Sequence, residues 1–184
     1  MTALEILALA LALSADAFSV GAALGLRYRS ARQTFRLAFH FGLFQALLPL
    51  IGALLGGILL RHVEAWDHWI AFGLLAALGL RMIAAGIRGE KLSASEADLT
   101  RGWSLVLFSL AVSVDALAAG LALPAARVPI VPAVTTFGVV TALATFLAIR
   151  IAGAIATRIG NRVEIVAGVA LILIGVKVVA DHIG

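Results

Sequence analysis

Two aspartates stand in segments built for lipid. Residues 11–24 read LALSADAFSVGAAL and residues 110–123 read LAVSVDALAAGLAL, so Asp16 and Asp115 each sit inside an apolar run. Eight of the fourteen aligned positions are identical, among them Ser14 with Ser113, Asp16 with Asp115 and Gly21 with Gly120. A carboxylate near the centre of a membrane helix costs on the order of 2.5–3.5 kcal/mol on insertion scales. The same cost at two equivalent positions points to an ion or substrate pathway. The alternative is that each carboxyl is protonated, or paired with Arg81 or Lys177, and holds helices together.

The surrounding side chains offer oxygen. Ser19 lies three residues after Asp16 and shares its helical face, so its hydroxyl can ligate or orient alongside the carboxylate; its counterpart is Ala118, and the site is therefore not fully symmetric. Ser14 and Ser113 precede the aspartates by two, which on a regular helix turns them away. They then bond carbonyls a turn back or mark a local irregularity. In FGLFQALLPLIG (41–52), Pro49 cannot donate to the carbonyl of Gln45, which leaves a backbone oxygen for a cation or simply a kink. Thr141 aligns with Gln45 in the second half and is the weaker candidate, because a lone threonine usually bonds its own helix. Glu164 is a peripheral candidate near the start of the last apolar run.

Carboxylates, an amide and hydroxyls form a hard oxygen set, suited to Mg²⁺, Mn²⁺ or Ca²⁺ rather than to a soft ion. There is no cysteine, and the only methionines are Met1 and Met82. His40, His62, His68 and His182 fall near predicted helix ends, which makes them interfacial rather than ligating. Two carboxylates balance one divalent cation and so lower the cost of carrying it through a low-dielectric region. The candidate metal ligands are therefore Asp16, Asp115, Ser19, Gln45, Ser14, Ser113 and Thr141, with the cation as cargo and no resident cofactor.

The absence of a Walker-type G-x-x-x-x-G-K-[ST] motif argues against ATP hydrolysis within the chain. A proton counter-ion is the natural partner, since an aspartate that releases its metal can take up a proton. An intramembrane aspartyl enzyme also uses two aspartates sharing a proton. Members of that group carry G-x-G-D, whereas the contexts here are SADA and SVDA. A purely structural membrane subunit would leave the matched aspartates without a use.

These side chains need spanning helices to hold them. Of 184 residues, 62% are hydrophobic and 13% charged, and several apolar runs exceed the length needed to cross a bilayer, so the chain reads as an all-α integral membrane protein. Apolar stretches between charge clusters predict six transmembrane helices at about 4–26, 37–60, 67–87, 103–123, 131–152 and 163–182. The first is expected to be retained rather than cleaved, because no Lys or Arg precedes Arg27 and Glu5 is acidic.

Basic residues concentrate in the first, third and fifth loops, at Arg27, Arg29, Arg32, Arg36, Arg88, Lys91, Arg101, Arg158 and Arg162, while the second and fourth hold Arg61 and Arg127. By the positive-inside rule the odd loops are cytoplasmic and both termini lie outside. The net charge of +4 is thus a topology signal rather than a nucleic-acid footprint. Trp66, Trp69 and Trp103 fall at predicted helix ends, the headgroup level such rings favour.

The serine-aspartate echo makes the chain a single membrane domain of two repeats, about 1–88 and 101–184. A second echo sets LGLRMIAAG (78–86) against IGVKVVADH (174–182). Three helices per repeat is an odd number, so the second repeat enters the membrane from the opposite side. Inverted repeats of this kind place a substrate site near the midplane and alternate its access between sides. Gly21 with Gly25, and Gly52 with Gly56, form GxxxG steps that let backbones approach.

The paired S-x-D-A motifs, the G-L-F-Q-x-x-x-P-L-I-G stretch, and W-D-H-W-I-A-F followed by L-G-L-R-M-I together resemble the MntP-type manganese exporters of bacterial inner membranes, through essentially the whole chain. The resemblance implies a six-helix manganese efflux pump related to the lysine exporter superfamily, with the family's aspartates matching Asp16 and Asp115. It supplies Mn²⁺ as the cargo, which oxygen ligands alone do not separate from Mg²⁺. Transport of another divalent cation or a small cationic solute is the alternative.

Overall fold

A computed structural model describes residues 2–55, 98–159 and 163–183, with isolated helical positions between 72 and 87. Its elements are α1 (Ala3–Gly25), α2 (Ala31–Leu55), α3 (Gly102–Val112), α4 (Val114–Ala125), α5 (Ile130–Ile159) and α6 (Val163–Ile183), and no strand occurs among the described residues. Three of these helices are long and apolar enough to cross a membrane, over Ala3–Gly25, Ala31–Leu54 and Ile130–Ala156. The bent pair α3–α4 makes a fourth if it counts as one span. The span expected at 67–87 lies outside the described residues apart from those isolated positions.

Capping chemistry sets two of the helix starts. Thr2 and Glu5 form a reciprocal capping box for α1: the Thr2 hydroxyl accepts the Glu5 N–H at 3.3 Å, and the Glu5 carboxylate accepts the Thr2 N–H at 2.7 Å. Ser30 and Gln33 do the same for α2. That second box starts α2 at Ala31, six residues before the expected 37, because hydropathy treats the basic stretch as loop while the S-x-x-Q pattern closes a helix over it. One consequence is that His40 sits inside α2 rather than at its end, with Nδ1 2.9 Å from the Arg36 carbonyl. At the same end of the bundle α5 runs on to Ile159, beyond the expected 152.

The fourth predicted span is broken. α3 and α4 meet at Ser113 with a 47° bend. Ser113 leaves helical geometry (φ −116°, ψ 9°), and its N–H bonds to the Leu110 carbonyl three residues back at 3.0 Å. The equivalent Ser14 lies inside continuous α1. The flanking residues account for the difference: Leu13 and Ala15 are strong helix formers, whereas Val112 and Val114 are β-branched and weak ones.

Packing is carried by residues without side chains to separate the helices. α5 lies centrally, against α1 on one hand and α2 on the other, and α2 in turn packs on α3 and α4. α1 and α5 run parallel, since Gly21 faces Thr145 and Gly25 faces Ile149. A Cβ on Gly25 would come within 2.6 Å of the Ile149 Cα. α2 and α5 cross at Gly42 and Gly138, where a Cβ on either would lie 2.6–2.8 Å from the other's carbonyl oxygen. Gly52 and Gly120 let α2 and α4 meet backbone to backbone in the same way, at Leu117 and Pro49.

Two apolar clusters result, displaced from one another along α1, α2 and α5. One joins Ala17–Leu24 of α1 to Leu37 and Phe41 of α2, Leu105–Val112 of α3 and Ile149–Ala156 of α5. The other joins Ile6 and Ala10 of α1 to Leu123, Val128 and the start of α5 at Ala133–Phe137, with Leu13 and Leu50 packed against it. Around both, large apolar side chains such as Leu11, Phe39, Leu47, Leu143 and Leu147 face outward, as a lipid-facing surface requires.

Outside the apolar bundle, Asp98 ties the segment before α3 to α2. Its carboxylate lies 3.5 Å from Arg36 Nη1 and 3.3 Å from Arg101 Nε, and it accepts the Thr100 hydroxyl at 2.5 Å and the Thr100 N–H at 3.1 Å.

Candidate functional site

Between the two apolar clusters the helices present polar side chains at one level. On α1 the interval after Leu13 and before Ala17 contains Ser14 and Asp16; on α2, between Phe41 and Leu50, it contains Gln45. From Val112 to Leu123 it contains Ser113 and Asp115, and on α5, from Val140 to Ile149, Thr141 and Thr145. Ser14, Gln45, Ser113, Thr141 and Thr145 are all buried, and Asp16 and Asp115 are half-buried. Six of the seven sequence candidates, all but Ser19, thus fall within this band or at its edge, and Gln45 bridges two elements: its Nε2 donates to the Leu13 carbonyl of α1 at 3.2 Å.

The hydroxyls divide into two groups. Ser14 donates to the Leu11 carbonyl at 2.8 Å, Ser19 to Ala15 at 2.9 Å and Ser109 to Leu105 at 2.7 Å, so each is satisfied within its own helix. By contrast Gln45 Oε1, Ser113 Oγ, Thr141 Oγ1 and Thr145 Oγ1 are buried with no hydrogen-bond partner among the described residues. Buried polar atoms are rarely left so. Thr141, ranked below Gln45 because a lone threonine usually bonds its own helix, makes no such bond. Ser19 lies toward the first apolar cluster, past Ala17, and its proton is committed to α1.

The two aspartates occupy unlike surroundings. The break at Ser113 puts Asp115 in the first turn of α4, where the helix N-terminus supplies partial positive charge, and its Oδ1 accepts the Ala116 N–H at 2.8 Å. Asp16 lies in mid-helix, remote from either end of α1. Lys177 is on an exposed face of α6, while Arg81 and the Glu164 side chain lie outside the described residues.

No group of three or more His, Cys, Asp or Glu side chains gathers among the described residues. Among the described residues, a cation in this band would therefore meet the two carboxylates together with neutral amide and hydroxyl oxygens. Such a set suits a hard divalent ion that must also leave.

Comparison with known proteins agrees with the chemistry. Residues 28–179 match a family model described as "Mntp: Putative manganese efflux pump". The chain belongs to the MntP family. Relatives bearing that MntP description include one from Nitratidesulfovibrio vulgaris, 44% identical over 99% of this chain and 92% of its own length. Another from Syntrophotalea carbinolica is 40% identical over 99% and 98%, and one from Stenotrophomonas maltophilia 36% identical over 100% and 98%. No solved structure matches significantly. The MntP relatives align over both aspartate motifs and all the helices that carry the polar band, while the family model matches from residue 28 onward.

Sequence reasoning missed Thr145. It aligns with Pro49 of the first half, so the repeat offers no polar counterpart. The signal available was its spacing, four residues after Thr141 on the same face of an otherwise apolar helix.

Proposed function

We propose that this chain exports manganese(II) across the bacterial inner membrane, with Asp16 and Asp115 as the charged ligands of the ion. The observation that carries the reading is the polar band: two matched aspartate motifs at one level between two apolar clusters, in a chain whose relatives are named as manganese efflux pumps. Gln45, Ser113 and Thr141 complete the set as neutral oxygens. Ser14 and Ser19 support the aspartates from within α1.

The architecture behind this proposal is six spans in two inverted repeats with both termini outside. Support comes from the reciprocal contact of Gly42 with Gly138, positions that correspond between the repeats, and from the parallel use of Gly21 and Gly120 as close contacts to α5 and α2. Mn²⁺ enters from the cytoplasm, exchanges some waters for protein oxygens in the band, and leaves outside after the repeats rearrange.

The test is Mn²⁺ flux in proteoliposomes, comparing the wild type with Asp16→Asn and Asp115→Asn, each checked for folding. Wild-type flux and its loss in either variant are expected, because removing one carboxylate leaves a divalent charge half balanced. Normal flux in both variants would make the aspartates packing residues. Competition by Mg²⁺, Ca²⁺ and other divalent ions in the same vesicles separates manganese from the alternative cargoes.

A further inference from the structure

α5 carries its own control for what a threonine does in this fold. Thr135 and Thr136 donate to the carbonyls four residues back, Val131 and Pro132, at 2.7 and 2.8 Å, as helix-borne threonines commonly do. Thr141 and Thr145 are fully buried on the same helix and make no such bond, nor any other among the described residues. At Thr145 the methyl carbon is the group that meets α1: Cγ2 lies 3.2 Å from where a Cβ on Gly21 would be. Valine would make that contact equally well without leaving a buried hydroxyl unsatisfied. The hydroxyl is thus a cost with no return in packing.

We propose that Thr145 is a ligand of the transported cation, forming with Thr141 a two-rung ladder of neutral oxygens about 6 Å long on α5. This rests on the exporter reading above and extends it: the ladder carries the path from the level of Gln45 toward the end of the bundle where Ile149 and Leu24 pack. Hydroxyl oxygens suit a hard, partly hydrated divalent ion, and being uncharged they bind it weakly enough to pass it on.

Thr145→Val and Thr145→Ser decide the matter in the full-length protein. The readouts are the KM for Mn²⁺ in proteoliposomes and the Mn²⁺-induced rise in melting temperature of the purified chain. Thr145→Val is expected to raise KM about tenfold, the equivalent of about 1.4 kcal/mol of binding, and to shrink the Mn²⁺-induced thermal shift. Its melting temperature without metal should be no lower than the wild type's. Thr145→Ser, which keeps the oxygen, is expected to retain wild-type KM and thermal shift. A Thr145→Val protein with both at wild-type values overturns the proposal while leaving the exporter reading intact. If Thr145→Val is not recovered folded, Thr145→Ala is read in the same way, a raised KM supporting the ligand role and a wild-type KM overturning it. A wild type that neither moves Mn²⁺ nor is stabilised by it removes the exporter reading, and the ligand assignment falls with it.

Discussion

At the scale of single residues, the fold depends on the absence of atoms. Gly42 and Gly138 bring the two central helices together, and a Cβ on Gly42 would meet the Gly138 carbonyl at 2.6 Å and the Ala142 Cβ at 2.8 Å. Neither neighbour is the free end of a flexible chain, so α2 and α5 would have to separate. Gly42→Ala should therefore destabilise by about 1–3 kcal/mol, the usual cost of overpacking, and disturb Gln45 and Thr141, each three residues further along. Gly153→Ala is the control, because among the described residues its Cβ would meet only the Arg29 side chain, at an ordinary 3.6 Å. Thermal denaturation in detergent reads both, and equal melting temperatures would mean the helices pack less tightly than the geometry shows. Gly21, Gly120 and the two aspartates were legible in the sequence through the repeat. The different fates of otherwise similar hydroxyls were not, because a hydroxyl's partner depends on which rotamer its neighbours leave open.

At the scale of elements, the same S-x-D-A motif gives a continuous helix in one half and a break in the other. The valines around Ser113 explain the break, and it changes what the motif can do: α4 begins beside its aspartate, while α1 runs past its own. A second element-level feature is the tie from Asp98 to Arg36 of α2. Burial alone would raise the Asp98 carboxyl, but hydrogen bonds from the Thr100 side chain and backbone, then from Gln33, and the nearby Arg101 charge outweigh it and hold the group below its ordinary value. A carboxyl depressed in the folded state contributes stability that is fully present above its unfolded value, near pH 4, and is lost as pH falls through the native value. The melting temperature of Asp98→Asn should accordingly lie below the wild type's at neutral pH and converge with it once the pH has fallen below the native carboxyl's depressed value. A gap that persists unchanged into acid would show that Asp98 acts through shape rather than charge. Hydropathy could not find this tie, since it joins residues 62 positions apart through a side chain rather than through an apolar run.

At the scale of the whole molecule, moving two positive charges outward against an inside-negative potential costs about 4.6 kcal/mol per 100 mV. Export under the proposed mechanism is expected to speed up when an imposed pH gradient drives protons inward, and proteoliposome flux with and without that gradient checks it; equal rates would remove proton counter-transport. The amino-acid order alone determined the membrane class, the repeated aspartate motif and three of the spans to within a few residues at both ends, because lipid punishes an exposed charge or an unpaired peptide group regardless of what lies beyond it. Only the tertiary structure decided that α1 packs on α5, far along the chain, rather than chiefly on its neighbour α2, and that two apolar clusters leave a polar level between them. It also decided which oxygens remain unclaimed there. Those outcomes depend on how closely glycines let distant backbones approach, a property of pairs of helices that no single segment contains.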